Sequence, residues 1–172
     1  MSNRLDYIQH KIVSIQDAMR TIEGWRLKGQ QVVFTNGCFD ILHKGHVTYL
    51  AQAASLGNRL VVGLNTDDSV RRQGKGETRP INDNDARALV LGSLGFVDLV
   101  LFFDGDTPFN EISALLPDVL AKGADYDPKE RDPNSKKYIV GSDVVLKNGG
   151  EVVAIPLVEG FSTTSILEKS KG

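Results

Sequence analysis

The chain has 172 residues, a formal net charge of −2 (20 Lys+Arg against 22 Asp+Glu), 41% hydrophobic residues, one cysteine and three histidines. That length suits one domain that buries roughly two-thirds of its unfolded surface, and the balanced charge argues against a nucleic-acid-binding surface. A lone cysteine excludes an intrachain disulfide and multi-cysteine zinc or iron–sulfur sites; with no apolar leader and no bilayer-length apolar run, it implies a soluble cytoplasmic protein without a membrane partner.

Near the N-terminus, Ser14 and Asp17 resemble a capping box with Asp in place of Glu. The spacing of Ile15, Ala18, Met19, Ile22 and Leu27 predicts an amphipathic helix ending near Gly29. Residues 1–30 read as an N-terminal extension packed on the main domain, residues 31–172, or on a partner subunit. Apolar runs follow at Val32–Phe34, Leu60–Val62, Leu99–Phe103, Val152–Ile155 and, more weakly, Val119–Ala121. They are continuous rather than alternating, as in strands buried on both faces of a parallel sheet. Between them, Val47, Leu50, Ala51 and Ala54 have helical spacing before a Gly57 stop, as do Ala86, Leu89, Val90 and Leu94 after the cap-rich Asn82–Asp85. The alternation implies an open parallel α/β sheet with helices on both faces. Asp127–Lys137, charged and containing two prolines, reads as a surface loop.

The segment between the first strand and first helix, Thr35 to His46, holds two of the three histidines, three residues apart around Gly45. In a doubly wound sheet this loop borders the ligand crevice, and a helix starting here offers free N–H groups and a positive dipole end to an anion. Gly45 lets a phosphate approach the backbone. Zinc is disfavoured, because no cysteine cluster or further nearby histidine completes a ligand set and Asp40 is the only adjacent carboxylate. Neither G-x-G-x-x-G nor G-x-x-x-x-G-K-[ST] occurs. Cys38 reads as a small packing residue.

Asn36-Gly37-Cys38-Phe39-Asp40 with His43-Lys44-Gly45-His46 resembles the HxGH signature of the nucleotidyltransferase superfamily, which includes the cytidylyltransferases. With Val62–Val70, Lys122-Gly123-Ala124-Asp125-Tyr126 and Gly160–Ser165, the resemblance is greatest to the D-glycero-β-D-manno-heptose 1-phosphate adenylyltransferases, and it runs from about Gln31 to Leu167. It implies a Rossmann-like sheet and a reaction of ATP with a sugar 1-phosphate that yields ADP-sugar and pyrophosphate. A CTP-dependent enzyme acting on glycerol 3-phosphate or a related polyol phosphate is the alternative, and a nucleotide-binding regulatory module is the reading from a different class. The chain has no kinase-sized segment, so the 1-phosphate is expected from another chain.

By the same resemblance, His43, His46 and Lys122 are catalytic, with His46 nearest the α-phosphate. Nucleotide contacts are implied for Thr35, Asn36, Gly37, Phe39, Gly45, Arg87, Asp125, Ser162, Thr163 and Thr164. Substrate contacts are implied for Lys44, Asn65, Asp67 and Arg79. Asn65 and Asp67 either position the substrate phosphate or cap a helix over Asp68–Arg72; Ser162–Ser165 either cradle phosphates or only cap the last helix. Arg79 sits in a segment like the family's mobile G-x-x-R-P, with Arg71, Arg72 and Lys75 upstream as a solvated basic run. The arginine that related cytidylyltransferases carry shortly before the last motif is missing from Leu157–Phe161. Mg²⁺ is expected to come with the triphosphate rather than through protein side chains, and a homodimer is expected from the family.

Overall fold

A computed structural model describes residues 3–74 and 78–170. Its elements are α1 (Arg4–Gln9), α2 (Ile15–Arg26), β1 (Val32–Gly37), α3 (Lys44–Ala54), β2 (Arg59–Asn65), α4 (Asp67–Arg72), α5 (Asn84–Gly92), β3 (Leu99–Phe103), α6 (Phe109–Leu115), β4 (Val119–Gly123), α7 (Ser142–Lys147), β5 (Glu151–Ile155) and α8 (Thr163–Ser170).

The strands form one sheet in the order β3-β2-β1-β4-β5, and every neighbouring pair is parallel. The expected Rossmann-like fold is therefore present. Because side chains alternate across a strand, the continuous apolar runs supply two cores. Val33, Val62, Leu64 and Val100 pack with Leu50 and Ala53 of α3 and Leu91 of α5 on one face. Val32, Phe34, Val61, Leu101 and Leu120 pack with Ala18 and Ile22 of α2, Ile112 of α6 and Val145 of α7 on the other. Strand order runs outward from β1 to β3 and then returns across β1 to β4. Such a reversal opens a crevice beyond the carboxyl ends of β1 and β4.

Residues 11–26 are knit into this sheet. Ser14 Oγ accepts from Asp17 N at 3.2 Å and caps α2, whose Ala18 and Ile22 are buried beneath the strands. Upstream, Val100 N donates to Lys11 O at 2.8 Å and Val13 N donates to Val100 O at 2.9 Å, so the chain covers the exposed edge of β3. No helix among the described residues is long and apolar enough to cross a membrane. Ile22 is 1% exposed; Ile22→Ala is expected to cost about 2–5 kcal/mol in urea unfolding, whereas a helix merely resting on the surface would tolerate it.

Candidate active site

A cavity of about 670 Å³ opens at the carboxyl ends of the strands and receives residues from the segments that follow all five. His43, His46, Asn36, Gly37, Phe39, Gly45, Asn65, Arg79, Lys122, Asp125, Ser162 and Thr163 line it, so most of the expected site residues meet in one place.

His43 is the N-cap of α3, and its Nδ1 accepts from His46 N at 3.3 Å. An accepting Nδ1 leaves the proton on Nε2, which fixes His43 as a donor from that atom. The two imidazoles stack at 3.7 Å between centroids and 19° between planes. Burial, and then the neighbouring His43, push His46 down to about 4, opposed by a backbone hydrogen bond at Ile41; burial also lowers His43. Both rings are therefore neutral donors at neutral pH. Space at Gly45 is tight, because a Cβ there would lie 3.0 Å from His43 Cε1 and 3.2 Å from Phe161 Cβ. Phe39 adopts φ +43°, a strained region for a bulky residue, and its ring meets His46 edge-on at 5.2 Å.

Across the strand-order reversal, Lys122 Nζ donates to Asn36 Oδ1 at 2.8 Å and lies 5.1 Å from the centre of the Tyr126 ring. These contacts aim a cation at the gap between β1 and β4. At the far end, Ser162 Oγ accepts from Ser165 N at 3.0 Å and caps α8. Ser162 thus does cap the last helix, while it and Thr163 also face the cavity.

Asp40 is 3% exposed and organises the loop. Its Oδ2 accepts from Arg79 Nε at 2.5 Å, its Oδ1 from Ile81 N at 2.8 Å and Asn82 N at 3.0 Å, and its own carbonyl from Asn82 Nδ2 at 2.8 Å. The Arg79-Pro80 peptide is cis. Lys75, Gly76 and Glu77, part of the expected basic run and G-x-x-R-P segment, lie outside the described residues.

Five expected contacts are placed elsewhere. Arg87 is 2% exposed and points beneath the cavity, donating to Asn82 O at 3.1 Å, Cys38 O at 2.7 Å, Asn65 O at 2.9 Å and Asp67 Oδ1 at 2.6 Å. Here it is a buried brace outside the cavity lining, and Asp67 is its counter-ion. Thr66, not Asn65 or Asp67, caps α4 by accepting from Ser69 N at 3.2 Å. Thr35 is fully buried in a 2.7 Å hydrogen bond with Tyr49 Oη, which donates to Ala121 O at 3.2 Å; burial raises that phenol to about 12. Lys44 turns its Nζ to the Phe161 ring at 5.2 Å, and Thr164 is exposed outside the lining. Gln73, Asp106, Thr107 and Tyr138 also line the cavity. Sequence reasoning missed them because no local motif marks loop residues that only the fold brings to the crevice.

Arg87→Met strands Asp67 and three carbonyls, so it is expected to cost about 3–5 kcal/mol in chemical denaturation. The His46 pKa is lowered on folding from 6.5 to about 4. Its contribution to stability is thus complete above pH 6.5 and lost as pH falls toward 4, because only the unfolded chain takes up the proton in that window. An NMR titration is expected to give a His46 midpoint near 4, and His46→Gln is expected to flatten the pH dependence of unfolding over this window.

The cytidylyltransferase-like family model matches residues 34–169. The chain is 53% identical over 160 residues to "Bifunctional protein HldE" of Azorhizobium caulinodans, covering 93% of this chain and 32% of the relative. It is 54% identical over 164 residues to the protein of that name from Campylobacter concisus, covering 95% and 31%. It therefore spans about a third of the length of the curated relatives it matches. Among solved structures, a lipopolysaccharide core biosynthesis protein from Thermoplasma volcanium aligns with TM-score 0.57 and 28% identity, over 76% of this chain and 98% of that one. A pantoate-beta-alanine ligase from Francisella tularensis, solved with beta-gamma ATP and beta-alanine, aligns with TM-score 0.58 over 93% and 76%; at 14% identity it shares the fold alone. On the extent of the family match and on the geometry of the loop after β1, this chain belongs to the cytidylyltransferase-like family.

Proposed function

We propose that the chain transfers the adenylyl group of ATP to D-glycero-β-D-manno-heptose 1-phosphate, giving ADP-heptose and pyrophosphate. The observation that carries this reading is the pair of neutral, stacked imidazoles at the N-terminus of α3, in a cavity that the N-terminus of α8 also borders. Two helix N-termini facing one cleft favour a polyanion. Relatedness to the bifunctional HldE proteins over nearly the whole chain, and to a lipopolysaccharide core biosynthesis protein, supports ATP and heptose 1-phosphate over the CTP alternative.

In this mechanism an oxygen of the sugar phosphate attacks the α-phosphorus in line. A new P–O bond forms as the bond to the β-phosphate oxygen breaks, and pyrophosphate leaves without a covalent enzyme intermediate. His43 offers Nε2–H to the phosphates. His46, which lines the same cavity beside it, is the second neutral imidazole at the phosphate-facing end of α3. Lys122, aimed by Asn36 and Tyr126, offsets charge between the two reactants, and Arg79 is a further cation in the same cleft. Ser162, Thr163 and the α8 amides face the distal phosphates.

Mg²⁺ carried by the triphosphate would supply charge neutralisation there. The donor set fits that mode: the described residues gather no group of three or more metal-type side chains, and Asp40 is committed to Arg79 and two backbone amides. A cytoplasmic homodimer belongs to the same proposal on family grounds.

The test incubates the chain with each of four nucleoside triphosphates and either heptose 1-phosphate or glycerol 3-phosphate. Pyrophosphate release is expected with ATP and heptose 1-phosphate, and release with CTP alone overturns the proposal. His46→Ala is expected to lower kcat by roughly 10²–10³ through loss of one transition-state donor, with little change in Tm.

A further inference from the structure

One wall of the cavity carries polar groups that phosphate chemistry does not use. Gln73, which ends α4, and Asp106 and Thr107, in the turn between β3 and α6, form it. The sheet order sets β3 and β5 at opposite edges, four strand spacings or about 19 Å apart. This wall and the anion-binding end at α8 therefore lie at the two ends of one cleft.

The turn is held from one side of α4 by side chains spaced three apart. Thr66 Oγ1 donates to the Asp104 carboxylate, Ser69 Oγ donates to Gly105 O at 2.9 Å, and Arg72 Nε lies 3.4 Å from Asp106 Oδ1 while its Nη2 donates to Asp104 O. Asp106 is thus positioned, yet its side chain remains 83% exposed. Gln73 Oε1 accepts from Cys38 Sγ at 3.3 Å, which leaves the amide N–H groups to donate elsewhere.

With Arg72 paired to both aspartates, the turn still carries a net negative charge, which disfavours a phosphate. A carboxylate, an amide donor and a hydroxyl together suit an uncharged group rich in hydroxyls, because the carboxylate accepts from neighbouring O–H groups while the amide donates to their oxygens. We propose that Gln73, Asp106 and Thr107 form the subsite that reads the hydroxyls of the acceptor sugar and makes the enzyme selective for a polyol phosphate over a bare phosphate. This rests on the assignment of the phosphate-binding end made above. Arg72 is a positioning residue for Asp106.

The test is calorimetric binding of heptose 1-phosphate, mannose 1-phosphate and inorganic phosphate to the full chain loaded with a non-hydrolysable ATP analogue, for the wild type, Asp106→Asn and Gln73→Ala. The wild type is expected to bind at least one sugar phosphate tenfold or more tighter than inorganic phosphate. Asp106→Asn is expected to erase about tenfold to a hundredfold of that advantage, the size of a hydrogen bond to a charged group. Affinity for the ATP analogue and Tm are expected to stay unchanged, which separates sugar recognition from a loosened turn. The inference is overturned if the wild type shows no sugar advantage, if both variants retain it, or if affinity for the ATP analogue falls in parallel. Sugar-phosphate binding that depends on Asp106, without pyrophosphate release in the assay above, retains this subsite and overturns the adenylyltransferase reading instead.

Discussion

The guanidinium of Arg87 joins parts of the chain that no stretch of regular structure connects. Its donors reach the carbonyl of Cys38 in the loop after β1, that of Asn65 at the end of β2, that of Asn82 before α5, and the carboxylate of Asp67 at the start of α4. A buried arginine is tolerated only when its charge is paired and its N–H groups are occupied. The requirement therefore works in reverse, since each of those segments must stay where it is for the arginine to remain satisfied. Asp40 does the same for the adjoining segment from the opposite charge. Its carboxylate gathers Arg79 and the amides of Ile81 and Asn82. Together they fix the loop in which Phe39 can hold a positive φ and lie edge-on against His46.

On that base the end of the cavity proposed to bind phosphates is built mostly from neutral donors and dipoles. Stacking two imidazoles at 3.7 Å in a partly buried position disfavours protonating either. The backbone contact from His46 N to His43 Nδ1 then decides which nitrogen of His43 carries the proton. Among the described residues, the formal cations in the cavity are Lys122 and Arg79, and each is held by an acceptor, Asn36 and Asp40 respectively. On the proposed function, this is how a chain with net charge −2 would accommodate a polyanion. Preoriented N–H groups in a sheltered cleft act more strongly than the same groups in water, and they require no global positive field.

The opposite end has the reverse character, with Asp106 and Asp104 on a turn anchored by α4. A cleft that is donor-rich at one end and acceptor-rich at the other orients a ligand that carries phosphates at one end and hydroxyls at the other. The orientation comes from the sheet, because strand order alone decides which loops share an end.

Much of this was legible along the chain. The apolar runs located all five strands, since burial on both faces demands uninterrupted hydrophobic residues, and Ser14 and the Asn82–Asp85 cluster marked helix starts, with Ser14 and Asp83 serving as the caps. The HKGH spacing placed two imidazoles on one helix end, because positions three apart share a face and a glycine leaves space. These are local rules, satisfied within a few residues. What the sequence could not decide was the partner of each polar side chain. Arg87 and Arg79 have the same chemistry and read as a nucleotide and a substrate contact, yet one lies outside the cavity lining and the other in its wall. Thr35 looked available and is sealed against Tyr49, while Gln73, Asp106 and Thr107 carried no signal and arrive in the cleft from two separate segments, the end of α4 and the turn after β3. The sequence determined the strands, the helix ends and the histidine pair through short-range periodicity and sterics. Only the tertiary structure decided which charges are buried, paired or offered to a ligand, because that depends on contacts between residues tens of positions apart.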